Sequence, residues 1–424
     1  MHEEIIHFAW KYSYALFNGV KLKDGESIEV ISPGIHNFDS GPDFFNAKVR
    51  IGNTVWAGNV EIHISSSDWN RHNHNTDSAY DSIILHLVAN YDCDVLNSQG
   101  KKVPTVEIPY PDELEWELQR LIGQKAWIPC ADVLPQYNSF SLRVWLSSLA
   151  AERLEMKTEQ VKGFVEMFQG SWEEAFYLSI AHSFGLKVNA LPFELLAKAT
   201  PLKTLAKIKD NLFSVEALLF GQASLLPEDN QVDDYALELA KEYAYQKLKF
   251  GLSPIPKHLW KFMRLRPAAF PTVRIAQFAM LTHRSTGLFS KCLEALTLQQ
   301  LYNLLNVQTS EYWHIHYTFG KVSVPRSKNL GKSTLDVIIL NTVIPFTFAY
   351  GVARDNKQYK DKALNLLESM KPEKNSIVKG FAELGVKADS AFFSQALTQL
   401  KQEYCDKRKC LYCQVGANVV LKRV

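Results

Sequence analysis

The hydrophobic period of this chain changes once, and the change divides it. From residue 28 to 108, apolar residues alternate in short runs broken by Gly, Asn, Asp and Pro. Side chains alternate across a strand, so these runs predict strands over 28–32, 44–51, 54–64, 82–90 and 103–108. From about residue 140 onward, apolar residues recur at helical spacing instead. Pro192, Pro201, Pro227, Pro254, Pro256, Pro267, Pro271 and Pro325 punctuate those helices. Ile5, Ile6, Phe8, Ala9, Tyr12 and Leu16 predict a first helix over 3–17, and Asp112, Glu113 and Glu115 favour a helix start near 112. The expected fold class is α+β: a mixed sheet with flanking helices over 1–135, then an all-α domain over 136–424.

With 424 residues, each part is long enough to bury its own core. Residues 1–135 hold 10 Lys+Arg against 19 Asp+Glu, a balance of −9, and the remainder carries +11. One reading is an ordinary solvated surface; the other is a basic part that holds a polyanion near an acidic, metal-loaded part. The start of the chain, Met1-His2-Glu3-Glu4, lacks the basic region of a signal peptide. The apolar run over 337–352 is short of about 20 residues and contains Asn341 and Pro345, which predicts a buried helix and no membrane span. A cytoplasmic location follows as the expectation, with the six cysteines as thiols or metal ligands.

The densest chemistry lies in Gly41-Pro42-Asp43-Phe44 and Gly58-Asn59-Val60-Glu61-Ile62-His63. Asp43 opens one expected strand, and Glu61 and His63 share a face of the next. Two carboxylates so placed suit Mg²⁺ or Mn²⁺, which take oxygen ligands. Asp43 and Glu61 are therefore candidate metal ligands and catalytic residues, with His63 to position or deprotonate water. A polar loop follows, with His72 and His74 two residues apart and His86 beyond; such a pair can add metal ligands or simply form a loop tip. Asp68-Trp69 reads as an anchor for that loop.

These residues carry a resemblance. Pro42-Asp43, the gap of 18 to Glu61 and the Glu61-Ile62-His63 triplet resemble the PD-(D/E)xK nuclease superfamily. The resemblance covers about residues 3–110 and implies a nuclease-like α-β-β-β-α-β core, with Asp43 and Glu61 on the metal. His63 stands where that family has lysine, and the Gln-x-x-x-Tyr motif of its RecB-like branch is missing. The whole chain also resembles an uncharacterised bacterial family marked by Gly-Pro-Asp-Phe, Gly-Asn-Val-Glu-Ile-His and Ser-Asp-Trp-x-x-His-x-His blocks, here residues 41–44, 58–63 and 67–74. That likeness makes the blocks one unit and implies no activity.

Two further groups stand apart. Cys405, Cys410 and Cys413 form a Cys-x₄-Cys-x₂-Cys run, a candidate zinc or iron–sulfur site, with Cys130 as a distant fourth ligand. Lys257, Lys261, Arg264, Arg266 and Arg274 interleave with Trp260 and Phe262, which reads either as a nucleic-acid contact or as an amphipathic helix with solvated charges. Gly331-Lys332-Ser333-Thr334 mimics the end of a phosphate loop, but Arg326 replaces the required glycine. The leading expectation is a metal-dependent nuclease-like hydrolase of DNA or RNA. The alternatives are a non-catalytic nucleic-acid-binding or scaffold protein on a degenerate nuclease fold, and a metal-dependent hydrolase of a small molecule. Sequence is silent on oligomeric state.

Overall fold

The computed structural model describes residues 1–227 and 233–421. The chain divides into two compact units: 1–142 together with 401–424, and 143–400. The last 24 residues are thus counted with the sheet-bearing unit, not with the helices that precede them.

The first unit opens with helix α1 (Glu3–Ser13) and continues through β1 (Ile28–Ser32), β2 (Ile35–His36), β3 (Phe44–Ile51), β4 (Thr54–Ser65), helix α2 (Asp68–Arg71), β5 (Ile83–Asn90), β6 (Thr105–Glu107) and helix α3 (Asp112–Ile122). The sheet order is β1-β3-β4-β5-β6, with β2 also on β3. Pairs up to β3–β4 are antiparallel, while β4–β5 and β5–β6 are parallel, so the sheet is mixed. The alternating runs do form strands, and the helical spacing of 3–17 resolves into α1 plus a 3₁₀ turn (Tyr14–Phe17).

Two local devices set the ends of β3 and β4. Asn37 donates its side-chain amide to the carbonyls of Asp39, Ser40 and Pro42, folding 37–42 into a tight loop. Gly41 sits there at φ +103°, a conformation open to glycine and strained for other residues. Beyond the loop, the β3–β4 register shifts between Phe44 and Ala47, and Asn46 takes φ +56°. This bulge resets the alternation, so that Phe44 and then Ala47, Val49 and Ile51 all face inward. In β4, Val60, Glu61, Ile62 and His63 are all buried, since both faces of the strand are covered there.

The second unit is helical around one large core that includes Phe176, Phe184, Phe193, Phe220, Phe278, Trp313 and Phe346. Within it, the apolar stretch Lys332–Ala353 is long and apolar enough to cross a membrane, but 67% of its most apolar window is buried. Ile338, Ile339, Val343, Ile344 and Phe346 all belong to the core, so it packs as a core helix. It widens into a π-turn over Ile339–Val343.

Candidate functional site

The motif blocks meet at the Asp43 end of β3. The Asp43 N–H donates to Glu61 Oε2 at 3.1 Å, and the Ile62 N–H donates to Asp43 Oδ2 at 2.9 Å. Each carboxylate is thereby held against the other segment's backbone, just past the Phe44–Val60 end of the ladder. Asp43 has a further partner that sequence reasoning missed: His7 Nε2 of α1 lies 3.3 Å from Asp43 Oδ2, with Glu3 3.8 Å from the same nitrogen. The Glu3/His7 spacing on one helix face was the available signal. Burial works against the charged form of His7, but the Asp43 carboxylate together with Glu3 and Glu61 outweighs it, and the imidazole titrates above its usual range.

Glu61 faces the histidines. Its Oε1 lies 3.2 Å from His74 Nε2 and 3.7 Å from His63 Nε2. One ring nitrogen from each of His63, His72 and His74 falls within 4.8 Å of the others, the spacing of ligands around a single ion. Glu61, His63 and His74 are buried, and His72 is exposed, so the cluster lies just beneath the surface. Burial and the Asp43 charge push the Glu61 carboxyl up. Burial, aided by the surrounding imidazoles, pushes His63 down to about 2 and His86 to about 3. Neutral imidazoles with available lone pairs are what a metal requires.

The hydrogen bonds around His63 select that lone pair. Thr105 Oγ1 donates to the Val103 carbonyl at 3.1 Å, so toward His86 Nδ1, 3.3 Å away, it is left to accept. His86 then carries its proton on Nδ1 and accepts at Nε2, which lies 2.9 Å from His63 Nδ1. His63 Nδ1 must donate, and His63 Nε2 is left unprotonated toward His72 Nδ1 at 3.2 Å. A ligating histidine whose far nitrogen is fixed by a buried partner is the usual outer support of a metal site. His86 pairs with Glu61 across the β4–β5 ladder, which places it behind His63.

The loop that carries His72 and His74 is tightly anchored. Asp92 accepts from Ser66 Oγ at 2.7 Å, from the Ser67 N–H at 2.8 Å and from Ser67 Oγ at 2.6 Å. Asp68 accepts from the Ser65 N–H and pairs with Arg71 at 2.7 Å. Trp69 is fully buried, donates to the Leu96 carbonyl at 2.9 Å, and lies against His74, Tyr80 and His86. Tyr80 stacks on His74 with ring centroids 3.7 Å apart. The Ser-Asp-Trp-x-x-His-x-His block is therefore one device: its first half fixes the loop, and its second half presents two imidazoles.

The other candidates fall elsewhere. Cys130, Cys405, Cys410 and Cys413 belong to the same unit as the histidines and are all buried. Lys257, Lys261, Arg264 and Arg266 are exposed in the second unit. Their segment is two 3₁₀ turns, Lys257–Leu259 and Pro267–Ala269, joined by irregular chain with a turn at Met263 and Arg264, and not the amphipathic helix that is one reading of the basic–aromatic pattern. Pro254, Pro256 and Pro267 lock the backbone and remove donors there. Trp260 is buried and donates to the Ala223 carbonyl, so it anchors the segment instead of offering a stacking face. Arg274 is also buried, in the helix Pro271–Arg284, where it donates to Gln277 and Thr334. Its guanidinium is enclosed and does not reach solvent phosphates as the other four can.

A mixed sheet with a buried carboxylate–imidazole cluster under an anchored loop defines a mixed α/β protein with a candidate metal centre. The chain belongs to the family described as "Protein of unknown function (DUF2851)", whose profile matches residues 3–376. All of the histidine cluster lies within that span, and Cys405, Cys410 and Cys413 lie outside it. No curated protein and no solved structure matches the chain.

Proposed function

We propose that this protein is a metal-dependent hydrolase centred on Glu61, His63, His72 and His74, with nucleic-acid phosphodiesters as its substrate class. The observation that carries the reading is the meeting of three imidazole nitrogens within 4.8 Å beside the buried Glu61 carboxylate. The donors fit a transition ion: three imidazoles and one carboxylate favour Mn²⁺ or Zn²⁺ over Mg²⁺. Such an ion, when bound, acidifies water and offsets charge on a phosphoryl oxygen. The chain's own residues do the rest. His86 and Thr105 hold His63 in the ligating tautomer. Asp43 ties the start of β3 to β4 and favours a proton on His7, whose charge offsets the carboxylate beside the site. Exposed His72 marks the side from which substrate approaches.

Phosphodiesters are favoured by the placement of Asp43 and Glu61 on adjacent strands, the feature that resembles PD-(D/E)xK nucleases. A second reading, a non-catalytic nucleic-acid binder on the same frame, draws on His63 standing in the place of that family's lysine. One experiment separates them. The full-length protein is incubated with single- and double-stranded DNA and RNA in Mg²⁺, Mn²⁺ or Zn²⁺, with an EDTA control and Glu61→Gln. Metal-dependent cleavage lost in the variant is expected. Salt-sensitive binding without cleavage supports the second reading. A metal-loaded protein that neither cleaves nor binds nucleic acid overturns both.

A further inference from the structure

The first unit contains a second cluster of ligand-type side chains, built from opposite ends of the chain. Cys130 lies just beyond α3, and Cys405, Cys410 and Cys413 lie in the C-terminal segment. The segment is clamped to the chain on both sides of Cys130. On one side, Lys401 Nζ sits 5.1 Å from the centre of the Trp127 ring. On the other, Asn418 donates its side-chain amide to the Tyr137 hydroxyl at 2.8 Å. The four thiols are 6–8% exposed, and none forms a disulfide. They lie within electrostatic range of one another, with Cys410 and Cys413 acting on Cys130, and Cys413, Cys130 and Cys410 acting on Cys405, though they are more widely spread than the three histidines.

The backbone between the three C-terminal thiols is shaped to present them. Cys405 closes the π-turn Leu400–Cys405. Arg408 at φ +53° then reverses the chain, and the Cys410 N–H donates to the Arg408 carbonyl at 2.8 Å. The 3₁₀ turn Cys410–Tyr412 brings Cys413 back under Cys410, with the Cys413 N–H 3.3 Å from the Cys410 carbonyl. Gly416 packs directly on this turn: a Cβ there would lie 2.3 Å from the Cys410 carbonyl oxygen. Only glycine lets the helix Gln414–Leu421 approach so closely. Four buried thiols brought together have little to gain as a polar cluster. As thiolates they provide the full ligand set of a soft metal centre.

We propose that Cys130, Cys405, Cys410 and Cys413 form one tetrathiolate metal centre, either a zinc ion or an iron–sulfur cluster, that fastens the C-terminal segment to the sheet-bearing unit. The site is separate from the histidine cluster and does not depend on the hydrolase reading. Its structural role follows from its position: the ligands come from segments 275 residues apart between Cys130 and Cys405, and closing so long a loop stabilises the folded chain strongly.

The test uses untagged full-length protein purified both with and without oxygen. Zinc, iron and acid-labile sulfide are measured per chain in the wild type, Cys130→Ser, Cys413→Ser and His63→Ala. The expected result is about one zinc ion or one cluster per chain beyond any metal at the histidines, retained in His63→Ala and lost in both cysteine variants. Broad visible absorption with sulfide identifies the cluster, and a colourless protein with zinc identifies the ion. If the cysteine variants do not fold, the wild type is loaded with Co²⁺, and intense near-ultraviolet thiolate-to-cobalt absorption is expected. Metal content unchanged by either cysteine substitution overturns the proposal. So does a wild-type protein that, after reconstitution, holds no thiolate-bound metal and has all four thiols open to alkylation.

Discussion

Glu61 in the sheet-bearing unit and Glu216 in the helical unit are both almost wholly removed from water, at 5% and 0% exposure. Their surroundings differ in kind. Glu216 accepts from the Tyr235 hydroxyl, from Ser310 Oγ at 2.8 Å and from Trp313 Nε1 at 3.4 Å. Every neighbour is a neutral donor, and the network joins distant parts of one core. Glu61 accepts one backbone N–H and otherwise faces imidazoles and a second carboxylate. The first arrangement completes a core. The second is a buried acid whose charged form is disfavoured by burial and by Asp43, so that its natural complement is a cation. Burial alone therefore does not mark a functional acid; what marks it is a surplus of lone pairs over donors.

The comparison predicts opposite responses to neutralisation. Glu61→Gln should abolish tight metal binding and lower metal-dependent hydrolysis by about 10³-fold or more, while leaving the metal-free fold as stable as the wild type or slightly more so. Calorimetric metal titration and chemical denaturation check the two halves. A metal-free Glu61→Gln protein that unfolds much more readily would make Glu61 a structural acid like Glu216, and the comparison would fail.

Glu216→Ala should do the reverse. It strands three donors, the Trp313 N–H fully buried and the Tyr235 and Ser310 hydroxyls half-buried, and should destabilise the helical unit by roughly 3 kcal/mol, with metal binding at the histidines unchanged. Circular dichroism during denaturation, beside the same metal titration, reads both. Added Mn²⁺ or Zn²⁺ sharpens the contrast, because a ligand that binds only the folded form stabilises it by about 2.7 kcal/mol at 100 times its dissociation constant. That gain should appear in the wild type and in Glu216→Ala, and be absent in Glu61→Gln.

Much of this was legible in sequence, for identifiable reasons. The strands were, because period 2 survives in β1, β3 and β4 even with a bulge at Asn46. The acids, His63, His72 and His74 were, because they sit in short blocks on one strand and one loop. The outer support was not. His86 lies in an apolar run, and only the parallel β4–β5 register places it behind His63. His7 is one of several polar residues on an amphipathic helix, and its partner Asp43 is 36 residues away. The basic segment misled because interleaved Lys, Arg and aromatic residues have helical spacing, yet its prolines prevent a helix and Trp260 turns inward.

The outer support gives the next test. Thr105→Val removes the acceptor that fixes the His86 tautomer, and through it that of His63. Metal affinity should fall by about 10-fold, with a stability loss of about 1–3 kcal/mol from the stranded His86 N–H, since Val fills the same space at this buried strand position but accepts no hydrogen bond. Affinity equal to the wild type would show that the His63 lone pair is not selected through His86.

The smallest expected effect lies at the loop anchor. Ser67 and Ser66 hydrogen bonds hold the exposed Asp92 carboxyl down at about 2, below the roughly 3.9 of an unfolded chain. A carboxylate stabilised in the folded state supports the loop fully above the unfolded value, and its contribution fades as pH falls through the folded value. Amide protection at Ser67 should therefore hold at pH 4 and above and decline toward pH 2. Asp92→Asn should weaken that protection at neutral pH, flatten the acid dependence, and lower metal affinity by less than about tenfold. Hydrogen exchange on the metal-free protein separates this from the histidines' own titration, since the Ser67 amide reports the anchor while His72 and His74 report the ligands. An unchanged Ser67 amide in the variant would mean that Trp69 alone fixes the loop, and that the serine–aspartate half of the block has another use.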